Sequence, residues 1–105
     1  MTSQLKTPFG QYIKLLRTNQ GLTLTQLAAQ LDLDSANLSK IENGLREFDE
    51  KRLVKMASIF KLNLESLKTE FFSDFFAKKL FQSECSTQAL IVAEEKVKYL
   101  RKLKK

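Results

Sequence analysis

The stretch "LTQLAAQLDLDSANLSKIENG", Leu24 to Gly44, limits the fold more than any other part of the chain. Leu27, Ala28 and Leu31 recur at helical spacing over Leu24 to Leu31, and Leu38 and Ile41 do so over Ser35 to Asn43. Thr23 and Asp34 stand where N-caps belong, and Gly44 closes the second segment. Only the residues Asp32 to Asp34 separate the two helices, so the second must turn sharply against the first. Ala28 is small enough to let them cross closely.

Strand signals are nearly absent elsewhere, and helical periodicity continues. Residues 1–6 read as a loose polar arm. Thr7 is placed to cap a first helix with Pro8 at its first position, where a missing N–H costs nothing. Phe9, Ile13 and Leu16 line its inner face, and Gly21 stops it. Asp49 is expected to cap a fourth helix carrying Leu53, Met56, Ala57 and Phe60. Asn63 is expected to cap a fifth, with Leu64, Leu67, Phe71, Phe72, Phe75, Phe76 and Leu80. Five of the 8 phenylalanines fall between Phe71 and Phe81, a wider apolar face than one neighbouring helix covers. That face packs either on the last helix of the same chain or on a second chain. The last helix starts at Ser86 or Thr87 and carries Leu90, Ala93, Val97 and Leu100 as a seam.

A chain of 105 residues makes one domain with room for an appendage. No apolar run approaches the ~20 residues a bilayer span needs, and the N-terminus lacks a hydrophobic signal region. Cys85 is the single cysteine, which fits a reducing, cytoplasmic setting. With no histidine and one cysteine, the usual zinc sites are excluded, and the commonest general base is missing. The three glycines stand apart, so there is no glycine-rich phosphate loop. Asp32/Asp34 and Glu94/Glu95 read as cap and surface residues. The expectation is therefore a protein with no metal, cofactor, small-molecule ligand or membrane partner, and not an enzyme. The net charge of +6 favours a polyanionic partner, nucleic acid first. The six basic residues from Lys96 to Lys105 form either a solvated helix end or a secondary phosphate-contacting patch.

The segments "GQYIKLLR", "LTLTQLA", "LSKIENG" and "LVKMASIF", in this order from about Phe9 to Leu67, resemble the Cro/lambda-repressor-type helix-turn-helix (XRE-like) regulators. The resemblance implies an all-α, five-helix lambda-repressor-like DNA-binding domain over residues 1–69. A helical extension for dimerisation follows over residues 70–105. Two positions depart from the family pattern. Its usual Gln at the start of the second helix, a phosphate contact, is Leu24 here, with Thr23, Thr25 and Gln26 as its replacements. Its common turn glycine is Asp32, which is expected in the left-handed region.

In this family the third helix enters the major groove by its N-terminal turn. With Leu38 and Ile41 facing the core, Ser35, Ala36, Asn37 and Lys40 are the expected base readers. Ser39 is placed for a base or a phosphate. Asn37 has the donor and acceptor for adenine, Lys40 can donate to guanine, and Ala36 can touch a thymine methyl. Thr23, Thr25, Gln26, Asn43, Arg46, Lys51 and Arg52 are the expected phosphate contacts. The resemblance implies a structural ion pair between Arg17 and Glu42. The expected dimer interface comprises Phe71, Phe72, Phe75, Phe76, Leu80, Leu90, Ala93, Val97 and Leu100. The chain thus reads as a bacterial or phage regulator, binding double-stranded DNA as a homodimer on a palindromic operator. It is similar to restriction–modification controller proteins and repressors. The alternative is an antitoxin whose C-terminal helices cover a toxin.

Overall fold

The computed structural model describes residues 7–104, and the expected polar arm over residues 1–6 lies outside them. The described chain is helical: α1 (Phe9–Asn19), α2 (Leu24–Gln30), α3 (Ser35–Glu42), a 3-10 turn (Glu50–Arg52), α4 (Leu53–Phe60), α5 (Leu64–Ser83) and α6 (Gln88–Leu103). It divides into two compact units, one running to Asp74 and the other from Phe75.

Helix starts follow the capping residues, with two corrections. Thr7 does not cap α1. Pro8 is the residue before the helix, extended at ψ 151, with no side-chain cap, and its carbonyl accepts from Tyr12 N–H at 3.0 Å. Asp49 accepts from Lys51 N–H at 3.0 Å, but it opens the 3-10 turn, and α4 starts only at Leu53. Asn63 caps α5 through Ser66 N–H at 2.9 Å.

Four helix ends share one device. A residue with positive φ follows the helix, and a leucine comes next: Gly21-Leu22, Asp32-Leu33, Gly44-Leu45 and Lys61-Leu62. Each leucine N–H reaches back to a carbonyl five residues earlier, on Arg17, Ala28, Lys40 and Ala57 in turn. This 6→1 bond, with the left-handed residue before it, satisfies carbonyls that the helix leaves open. Asp32, at φ 59, lies in the left-handed region, as its place in the turn demands. Leu22, Leu33 and Leu62 then fold onto the core, whereas Leu45 stays 78% exposed.

The core of the first unit joins Phe9 and Ile13 of α1 to Leu27 and Ala28 of α2, with Leu31 just beyond. Leu38 and Ile41 of α3, Phe48, and the inner faces of α4 and α5 complete it. Gly10 sits where α1 crosses the end of α3, and a Cβ there would run into the backbone carbonyl of Ile41. The expected interface residue Phe71 belongs to this core instead. It is buried, with its ring edge-on to Phe9 at 5.2 Å and to Phe72 at 5.0 Å. Phe72 is half-buried against the same cluster. A stripe this wide has to serve the domain first, because Phe9 and Phe48 supply aromatic partners that the α5 pattern alone does not reveal.

In the second unit, Phe75, Phe76 and Phe81 are exposed, Leu80 is half-buried, and every residue of α6 is exposed. Leu90, Ala93, Val97 and Leu100 are therefore uncovered within the chain. Among the described residues, no helix is long and apolar enough to cross a membrane.

Candidate nucleic-acid interface

The N-terminus of α2 is held by a reciprocal capping box. Thr23 Oγ1 accepts from Gln26 N–H at 3.1 Å, and Gln26 Oε1 accepts from Thr23 N–H at 2.8 Å. Both side chains are thus engaged through their oxygens, which leaves the Gln26 amide NH2 and the Thr23 hydroxyl proton as donors that can meet a phosphate. Thr25 is exposed beside them. Leu24, where the family has Gln, is half-buried against the core and has become a packing residue.

The start of α3 is set by Asp34, whose Oδ1 accepts from Asn37 N–H at 2.7 Å. Its other oxygen, Oδ2, accepts from the Asn37 side-chain Nδ2 at 3.1 Å. A carboxylate only accepts, so it fixes which way round the amide stands. The NH2 group faces Asp34 through one N–H, and an amide also offers its oxygen and a second N–H. That pair matches the N6/N7 edge of adenine. Ser35, Ala36 and Lys40 are exposed, and Ser39 and Asn37 are half-buried. Leu38 is fully buried and Ile41 nearly so, which holds the opposite face of α3 in the core.

The end of α3 is tied to α1. Arg17 Nε donates to Glu42 Oε2 at 2.7 Å and Nη2 to Oε1 at 3.0 Å, a two-pronged pair. Arg17 Nη1 also donates to the Leu22 carbonyl at 2.9 Å, so one guanidinium joins α1, the loop before α2 and α3. The hydrogen bond to Glu42 holds the Arg17 guanidinium above its ordinary range, with burial opposing it. Asn43 follows as an exposed C-cap, and Arg46 and Lys51 are exposed.

Arg52 is placed differently from the expected phosphate contact. Its Nε donates to the Leu31 carbonyl at 2.7 Å, Nη2 to the Asp32 carbonyl at 3.2 Å and Nη1 to Asp49 Oδ2 at 3.2 Å. It therefore turns inward onto the α2–α3 turn. Lys55 completes this arrangement, with Nζ 2.8 Å from Asp32 Oδ2. The Lys55 hydrogen bond, and then its charge, hold the Asp32 carboxyl below its ordinary range. Sequence spacing gives no sign of these contacts, which join residues 20 to 23 positions apart. The Asp34–Asn37 side-chain bond was within reach, since a cap and the third residue of its helix always lie close.

Two short helices joined by a four-residue turn, Leu31 to Asp34, the second exposed along its polar face, define a helix-turn-helix protein. The chain belongs to that family. Its helix-turn-helix profile, of Cro/C1 (XRE) type, matches residues 13–67, just over half of the chain. This is a family of DNA-binding transcriptional regulators. Among curated relatives, the chain is similar to the uncharacterized HTH-type transcriptional regulator RghRB of Bacillus subtilis (strain 168). The two are 40% identical over 62 residues, which is 58% of this chain and 45% of the relative, so the match spans less than half of that protein. No solved structure matches the chain.

Proposed function

We propose that the chain regulates transcription as a homodimer reading two inverted half-sites, with α3 of each copy in the major groove. The observation that carries this reading is the division of α3. Leu38, Ile41 and Glu42 are buried and tied down, while Ser35, Ala36 and Lys40 project to solvent on the other side. Asn37, oriented by Asp34, and Lys40 read base edges, Ser35 and Ala36 add contacts beside them, and Ser39 meets a base or a phosphate. Thr23, Thr25, Gln26, Asn43, Arg46 and Lys51 hold the backbone, which sets register and affinity without choosing sequence. The bare apolar residues of α5 and α6, from Phe75 to Leu100, form the contact between copies. A single domain of this kind spans too little duplex for high specificity, and pairing by two-fold symmetry doubles what is read.

Selection of bound sequences from random duplexes tests this directly. The expected product is a palindrome whose half-sites are centred about one helical turn, 10–10.5 base pairs, apart. No enriched sequence at moderate salt removes the reading. A second reading, an antitoxin, is favoured by the same exposed apolar residues of α6. It predicts a chain that stays monomeric alone and pairs only with a different protein, so sedimentation of the pure chain separates the two. Control of restriction–modification genes is one setting in which a concentration-dependent dimer of this type acts as a switch.

A further inference from the structure

We infer that Arg52, with Lys55 and Asp32, sets the angle at which α3 is presented, and is a positioning residue for base reading rather than a phosphate contact. The inference rests on α3 being the reading helix. Asp32 occupies the turn position at which this family commonly has glycine, and an acidic side chain there, repelled by DNA phosphates, needs a reason within the fold. Its surroundings supply the reason. The carbonyls of Leu31 and Asp32 lie at the end of α2, where helix geometry leaves acceptors without partners. The Nε/Nη2 edge of the Arg52 guanidinium donates to both, at 2.7 and 3.2 Å, and Nη1 donates to Asp49 at 3.2 Å. Asp49 in turn caps the 3-10 turn that leads into α4. Lys55, on the first turn of α4, takes the Asp32 carboxylate at 2.8 Å. Two cations before and on α4 therefore hold both the backbone and the side chain of the α2–α3 turn.

The first residue of α3, Ser35, comes three positions after Asp32. Lys40 lies roughly 8 Å along the helix from Ser35, so a change of ~10° at the turn moves it by about 1.3 Å. That exceeds the tolerance of a hydrogen bond to a base edge. Lysine cannot replace arginine here, because one ammonium lacks the planar fork that meets two carbonyls and a carboxylate together.

The test compares the wild type, Arg52→Lys and Arg52→Met on the selected duplex and on a scrambled duplex, each across a salt series. Partial unfolding lowers both affinities by the same factor, so their ratio reports positioning alone. Both variants are expected to lose about tenfold in the ratio, comparable with one mismatched base pair, with the salt dependence on scrambled DNA unchanged. The inference is overturned if Arg52→Lys behaves as wild type while Arg52→Met keeps the ratio and loses about one unit of salt slope, the mark of a phosphate contact. If Arg52→Met fails to fold, the ratio for Arg52→Lys decides. A wild type that selects no sequence overturns the reading of α3 itself, whereas a wild-type motif bound with the same ratio by both variants overturns only the role of Arg52.

Discussion

Arg17 and Glu42 carry the largest single-residue consequence. Their side chains are 11% and 3% exposed, so the weak energies of surface pairs do not apply. Removing one partner strands the other charge away from water, at a cost of about 3–5 kcal/mol. Arg17→Ala also leaves the Leu22 carbonyl without its donor. Denaturant titration of Arg17→Ala should show a loss of that size, and an unchanged midpoint would mean that the pair is not buried as described. Asp32 makes the opposite case, being open to solvent. Its folded pKa lies below the ordinary 3.8 because of Lys55, so the pair's stabilisation is complete above 3.8 and fades as pH falls through the lower, folded value. The stability gap between wild type and Lys55→Gln should thus stay constant over about pH 5–8 and close only in stronger acid. A gap that changes with pH across neutrality would contradict that assignment.

Helices in this chain are legible to the extent that their ends are. Thr23, Asp34 and Asn63 cap where an N-cap pattern places them, and the repeated left-handed residue plus leucine marks four C-termini. Asp32 is readable because it stands where the resembled family commonly has a turn glycine, a residue that marks positive φ. What stayed hidden depends on contacts across the chain. The inward turn of Arg52 requires knowing that α4 starts beside the α2–α3 turn, whereas a basic residue just beyond the third helix reads as a phosphate contact. On the α5 pattern alone, Phe71 belongs to a face that packs on the last helix or on a second chain, and only Phe9 and Phe48 draw it into the first unit's core. Gly10 is the least visible of all, since a glycine inside a helical pattern reads as a weakness. Here it is a requirement, because α1 lies directly on the Ile41 carbonyl. Gly10→Ala should improve helix propensity yet destabilise by roughly 1–3 kcal/mol through overpacking. Thermal unfolding would decide the sign, and a stabilised variant would refute the close approach.

At the scale of the whole molecule, the question is what covers α6. Its helix carries Leu90, Val97, Tyr99, Leu100 and Leu103 at 41–62% exposure, the kind of uncovered apolar surface that marks an interaction site. The first unit's core is built from residues between Phe9 and Phe72, so its stability does not draw on Val97 or Leu100. Replacing both with glutamate should therefore leave the first unit folded while separating the copies. If the homodimer is right, the double variant sediments as a monomer at micromolar concentration, where the wild type is dimeric. Its affinity for a single half-site should be unchanged. Its affinity for the full palindrome should fall by about 10²–10⁴, the advantage of making the second contact intramolecular. Equal binding of wild type and variant to the full palindrome would place recognition in the monomer and leave α6 for a different protein.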